Sequence, residues 1–225
     1  MKLHKFLIFL FSLNLLIQNC SPSKSQSGNN EKNYIFFLHN KFVEENLDGT
    51  YEPKYGIKSE YNEILHSFQK DGFVVISEKR KPNTNGIEYA KKVVVQIDSL
   101  IQKGIEPKHI TVIGTSKGGY IAQFVSTFAK NPNLNFVFIG CFEETDIKEI
   151  PEINFCGNIL TIYEKTDKFG VSAIKRKQLS KLPINHFQEI ELNTGLKHGF
   201  LYIASDDWIK PSKMWAKQNY RLKPK

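Results

Sequence analysis

The chain has 225 residues, 31 of them basic and 23 acidic, for a formal net charge of +8. That length makes one domain with a sizeable core. The 28 lysines and three arginines are scattered, with no arginine-rich helix and no basic block, so the charge excess excludes a built nucleic-acid surface.

Residues 1–19 begin with Lys2 and Lys5 and continue with an apolar run over 6–17, broken only by Ser12 and Asn14. The run is short for a membrane span and has the layout of a secretory signal peptide. Cys20 follows at once. Ile17-Gln18-Asn19-Cys20 resembles the lipobox of bacterial lipoproteins, which implies an acylated Cys20 as the new N-terminus. Asn19 stands where that motif carries a small residue. Residues 20–33 are polar and non-periodic, as a flexible tether is. The expected organisation is a signal peptide over 1–19, a lipid-anchored tether over 20–33 and one domain over 34–225. Such a protein is exported and anchored to a membrane of the cell envelope. Its expected partners are that membrane and a small molecule, with no nucleic acid.

From residue 34 onward, short β-branched or aromatic runs alternate with longer amphipathic ones. The predicted strands are 34–38, 73–77, 110–114, 136–140, 159–163 and 187–192. Most are apolar on both faces, as strands between two helix layers must be. The last alternates more and suits an edge. Spacings of three and four group Tyr61, Ile64, Leu65 and Phe68 on one helix face. They also group Ile87, Ala90, Val94, Ile97 and Ile101, with Val93 and Leu100 beside them, and then Ile121, Ala122, Val125 and Phe128. Gly104 and Pro107 stop the second of these helices. Ile174, Leu179 and Leu182 form a weaker set. Trp208 and Trp215, seven apart, suit one helix face packed on the sheet. The alternation predicts an α/β fold: a mostly parallel sheet of about six strands with helices on both faces. Cys141 follows one strand and Cys156 precedes the next, so both are expected to be free thiols at opposite sheet edges.

In such a sheet, function collects at the carboxyl ends of the strands. Gly114-Thr115-Ser116-Lys117-Gly118-Gly119 follows the β-branched run 110–113 and opens a helix. Gly-x-Ser-x-Gly in that place is a nucleophile elbow. Among the histidines, His4 lies in the signal segment, His66 on a helix, and His109 and His186 before strands. Only His39 and His198 follow strands at the working edge. The acids placed there are Asp167 and Glu164 after the fifth strand and Glu143 and Glu144 after the fourth.

The order Ser116, Asp167, His198 resembles that of the α/β-hydrolase family, and the resemblance runs from about Tyr34 to Trp215. It implies a serine hydrolase with a minimal cap that cleaves a small ester or related acyl bond through an acyl-enzyme. No metal or organic cofactor is implied. Ser116 would be the nucleophile, His198 the general base and Asp167 the acid that orients it, with Glu164, Glu143 or Glu144 as alternatives for the acid. The backbone N–H of Lys117 would be one oxyanion donor and that of Lys41, in the loop after the first strand, the other. Asn40 stands where the family's His-Gly carries glycine, and asparagine tolerates the left-handed backbone better than most residues. His39 is expected to brace that loop. The same scaffold without turnover would be a binding lipoprotein, and the same three residues serve acyl transfer or peptide cleavage. Lys41, Lys117, Lys165 and Lys197 flank the candidate residues, and such a rim would favour anionic substrates. Cover for the site is expected only from loops such as 44–57, with Tyr51 and Tyr55 as candidate contacts.

Overall fold

The computed structural model describes residues 32–222. The signal segment, Cys20 and nearly all of the expected tether lie outside the described residues.

The first half runs β1 (Tyr34–Leu38), α1 (Lys41–Glu45), β2 (Tyr51–Glu52), β3 (Ile57–Lys58), α2 (Tyr61–Lys70), β4 (Val74–Ile76) and α3 (Gly86–Gln102). The second runs β5 (Ile110–Thr115), α4 (Lys117–Ala129), β6 (Asn135–Ile139), α5 (Asp146–Glu149), β7 (Gly157–Glu164), α6 (Ile174–Leu179), β8 (Ile184–Leu192), a 3₁₀ segment (Lys197–Tyr202) and α7 (Asp206–Ala216). Six strands form one sheet in the order β4-β1-β5-β6-β7-β8, and every pairing in it is parallel. β2 and β3 make a separate antiparallel ribbon, and β8 is an edge.

Side chains alternate across a strand, so a strand covered on both faces must be apolar at every position. Ile35 and Phe37 of β1 enter one core and Phe36 and Leu38 the other. β6 divides the same way, with Val137 and Ile139 against Phe136 and Phe138. The first core takes Ile64 and Phe68 of α2 and Trp208 and Trp215 of α7; the second takes Ala90 and Ile97 of α3 and Ile121 and Val125 of α4. Both tryptophans are fully buried, and their indole N–H groups donate to carbonyls of Phe200 and Asn158 at 3.2 and 3.1 Å.

Two helix faces differ from expectation. In α3 the buried stripe is Ala90, Val93 and Ile97; Val94 lies on its flank, and Ile87, in the first turn, is exposed. In α6, Ile174 and Leu179 are exposed and Arg176 is buried. The Arg176 guanidinium donates to the carbonyls of Asp146 and Ile153 at 2.6 and 3.3 Å. Those bonds, rather than an apolar stripe, set the rotation of this short helix.

The strand order places the working region. The chain leaves β1 through α2 to reach β4, then returns through α3 to β5, on the other side of β1. α2, which follows β1, and α4, which follows β5, lie on opposite faces of the sheet. The connections after β1 and β5 therefore diverge and open a crevice at the carboxyl ends of these neighbours. The 39–41 loop and Ser116 both stand there.

Cys141 and Cys156 are unlinked and buried. Alkylation of the unfolded protein without reductant should label both cysteine peptides, and the folded protein should resist labelling at both. A disulfide-linked peptide pair in mass analysis would contradict this arrangement.

Candidate active site

Ser116 sits between β5 and α4 at φ 49° and ψ −119°, a backbone conformation that costs an L-residue about 1–3 kcal/mol. The neighbouring structure holds it there. Its N–H donates to the Ile139 carbonyl at 2.9 Å, and its carbonyl accepts from the Tyr120 N–H at 3.1 Å. The flanking glycines are required by close approach. A Cβ on Gly114 would overlap the Gly118 carbonyl, and a Cβ on Gly118 would overlap the Leu38 carbonyl. A Cβ on Gly119 would strike the Cys141 side chain. The elbow thus lies directly against the carboxyl end of β1.

His198 stands in the 3₁₀ segment after β8, and Asp167 in the loop after β7. The structure brings both to Ser116. His198 Nδ1 lies 2.5 Å from Asp167 Oδ2, and His198 Nε2 lies 2.9 Å from Ser116 Oγ. A carboxylate can only accept, so Nδ1 carries the proton and Nε2 is left to accept from the serine hydroxyl. Asp167 and His198 are buried, while Ser116 is half-buried at the edge of the site.

The other acids are occupied elsewhere. Glu164 is fully buried; its Oε2 accepts from Thr194 N–H and Oγ1 at 2.8 and 2.7 Å, and its Oε1 from Thr166 Oγ1 at 3.0 Å. Burial pushes its pKa up, but these hydrogen bonds outweigh burial and hold it below the usual carboxylate range. Glu164 thereby ties the Asp167 loop to the chain that leads to His198. Glu143 pairs with Lys168 at 3.2 Å, and Glu144 is exposed.

Aromatic rings surround the histidine. Phe169 and Tyr55 lie 4.7 and 6.3 Å from the His198 ring, and Tyr202 joins Tyr55 to Phe42 at 5.8 and 5.2 Å. Tyr55 belongs to the ribbon between β2 and β3, which packs on Gly199 so tightly that a Cβ there would lie 2.8 Å from Tyr55. Tyr51 is exposed. A cleft of about 520 Å³ lies beside the Asp167 loop, between Phe142 and Arg176, and one of about 530 Å³ lies between β8 and α7. Ser116 lines neither, so the reach of Ser116 Oγ and His198 Nε2, not cleft size, marks the candidate site.

Lys117 and Lys41 are the first residues of α4 and α1. First-turn N–H groups have no acceptor within their own helix. Asn40 does not use a left-handed backbone: it is extended, at φ −70° and ψ 174°, and its Oδ1 caps α1 by accepting from Val43 N–H at 3.0 Å. Capping, which glycine cannot supply with a side chain, is what asparagine contributes here. His39 is buried and braces the loop. Its Nε2 accepts from the Arg80 N–H at 2.9 Å, its Nδ1 donates to the Asn40 carbonyl at 2.8 Å, and the Arg80 guanidinium donates to the His39 carbonyl. The lysine rim is partly neutralised: Lys117 pairs with Glu44 at 2.6 Å and Lys41 with Glu45 at 3.5 Å. Lys165 and Lys197 are exposed. Glu44 and Arg80 were not singled out from the sequence. Their one signal is that an arginine appears at 80 in a chain that otherwise uses lysine almost throughout. Among the described residues, no group of three or more His, Cys, Asp or Glu side chains is arranged to hold a metal ion.

No family model and no curated protein matches the chain. Solved structures do. An esterase from Rhizomucor miehei superposes with a TM-score of 0.57 at 12% identity, over 86% of this chain and 77% of that one. SOBER1 of Arabidopsis thaliana gives 0.54 at 14%, over 84% and 100%. A sugar hydrolase from Lactococcus lactis gives 0.54 at 15%, over 85% and 90%. The chain has the α/β-hydrolase fold, with six parallel strands and helices on both faces.

Burial first, and then the Arg80 cation, push the His39 pKa down to about 4. Proton uptake then favours the unfolded chain between about pH 6.5 and 4, so stability is fully present above 6.5 and declines as pH falls through that window. Long-range ¹H–¹⁵N spectra should show His39 as the neutral Nδ1–H tautomer from pH 8 down to about 5. A His39 ring that titrates near 6.5 would contradict its burial beneath Arg80.

Proposed function

We propose that this protein is a serine hydrolase that cleaves a small carboxylic ester, or a related acyl bond, through an acyl-enzyme at Ser116. The observation that carries this reading is the linked row Asp167–His198–Ser116, with contacts of 2.5 and 2.9 Å, ending on a serine held at positive φ. A serine hydroxyl is a weak nucleophile at neutral pH and needs an adjacent base. His198 Nε2 takes the Ser116 proton as Oγ attacks the acyl carbon, and Asp167 stabilises the imidazolium that forms. The oxygen that becomes negative is received by the N–H groups of Lys117 and Lys41, each worth about 10²–10³ in turnover. His198 then returns its proton to the departing alcohol. Water enters by the same route in reverse: His198 accepts its proton, the acyl–Oγ bond breaks, and Ser116 recovers its hydrogen.

The α/β-hydrolase fold, shared with a structure named as an esterase, supports the reaction class. Phe42, Tyr55, Phe169 and Tyr202 supply apolar walls suited to a compact acyl or alkyl group. The cover comes from the β2–β3 ribbon, in keeping with a small substrate. The apolar run over 6–17 and Cys20 support an exported domain held at the cell envelope by an acylated cysteine.

A fluorophosphonate probe should label the wild-type protein on Ser116, and Ser116→Ala should take no label and lose ester turnover while staying folded. Asp167→Asn should keep the fold and lower kcat about 10³–10⁴-fold. Folded wild type that takes no label would replace this reading with a binding protein on a hydrolase fold.

A further inference from the structure

Glu44 carries a carboxylate with no exposed side-chain surface, and the Ser116 relay does not use it. Both of its oxygens are occupied. Oε2 accepts from Arg80 Nε at 3.1 Å; Oε1 accepts from Lys117 Nζ at 2.6 Å and from the Thr84 N–H at 3.3 Å. The Arg80 side chain is equally buried and reaches on to the His39 carbonyl. Glu44 is therefore the hub of a network with one arm on the first residue of α4 and another, through Arg80 and His39, on the loop after β1.

The location gives the network a meaning. Lys41 opens α1 and Glu44 lies one turn later, while Lys117 opens α4. These two helices supply the two N–H groups assigned above as oxyanion donors. Both donors must reach one oxygen atom, which requires their spacing to be held within a fraction of an ångström. A five-residue helix such as α1 cannot hold itself, because it contains too few internal hydrogen bonds to offset nucleation. Charge-assisted hydrogen bonds to a buried carboxylate are short and directional, and they supply the missing constraint. Burial pushes the Glu44 pKa up, but the bonds from Lys117 and Arg80 outweigh it and keep the group an anion.

We infer that Glu44 is a positioning residue that fixes α1 against α4, through Lys117 on one side and Arg80 with His39 on the other, and so sets the spacing of the two oxyanion donors. The inference rests on the serine-hydrolase reading and extends it. It gives the Lys117 side chain a task separate from that of its N–H, and it withdraws that ammonium from any role in attracting substrate.

Lys117→Met keeps the backbone N–H and leaves the Glu44–Arg80 pair in place. With rates expressed per fluorophosphonate-titrated site and p-nitrophenyl acetate as a neutral ester, its kcat should fall about 10–100-fold, with KM within about twofold. Lys117→Arg should recover most of that loss. Glu44→Gln should lower kcat in the same way, and the double variant should lose no more than the worse single one. Should Glu44→Gln fail to fold, the Lys117→Met and Lys117→Arg pair decides the matter. Wild type labelled at Ser116 together with an unchanged kcat in Lys117→Met would overturn the positioning role alone, as would strictly additive losses or a loss confined to KM. Wild type that takes no label would overturn the serine-hydrolase reading and this inference with it.

Discussion

Helix α4 begins so close to the carboxyl end of β1 that one methyl group on Gly118 would overlap the Leu38 carbonyl. Much of the site's geometry follows from this contact. It stands Ser116 off the end of β5 at positive φ and sets the first N–H of α4 beside the loop after β1. It also explains Gly118, while Gly119 is required by the Cys141 side chain. Interiors are close-packed, so two backbones meet at this distance only where side chains are missing. The cost of the strained serine is met by the sheet beneath it, whose central strands are buried on both faces.

Around that contact the molecule buries charge, which is expensive unless it is paired; both Glu44 oxygens are bonded, whereas the buried Arg80 Nη1 has no hydrogen-bond partner. Glu44 and Arg80 are both inaccessible, and Lys117 is only partly exposed. Removing one partner of such a pair typically costs about 3–5 kcal/mol, because the other charge stays behind. Arg80 suits this place better than lysine would, since its planar fork bonds Glu44 and the His39 carbonyl together. Arg176 shows the same preference, satisfying two backbone carbonyls beneath α6. In a chain of 28 lysines, two of the three arginines are the buried Lys/Arg side chains among the described residues. Lysine, strongly hydrated and flexible, is nowhere buried among the described residues.

The carboxylates divide by the same logic. Glu164 and Asp167 are three residues apart on one turn, and both are buried. Glu164 ends β7 pointing into the gap between two loops, where four polar hydrogens from Thr166 and Thr194 satisfy it. Asp167, past the end of the strand, is free of that clamp and meets the imidazole. One acid fixes the distance between the acid loop and the histidine segment, and the other uses that distance.

The fold was legible from the sequence because it rests on local signals. Alternating apolar runs, helical spacing and punctuation by glycine and proline mark the elements, and an all-apolar strand admits only a sheet covered on both sides. Chain order and strand edges then reduced the histidines to His39 and His198 and the acids to four. Sequence could go no further, since each remaining choice depends on distances between segments far apart in the chain. Asp167 and His198 are 31 residues apart, and Ser116 and His198 82 apart. Local pattern also misjudged α6, where hydrogen bonds from Arg176 override the apolar spacing, and Asn40, where capping replaces backbone freedom. The network of Glu44, Arg80, Lys117 and His39 left almost no trace, because charged residues spaced along a chain read as solvated surface until the fold removes the water. Sequence determined which elements form and which sheet edge holds the candidate residues. Tertiary structure alone decided which carboxylate meets His198 and which one is buried between two cations, since burial and through-space distance exist only after the chain has folded.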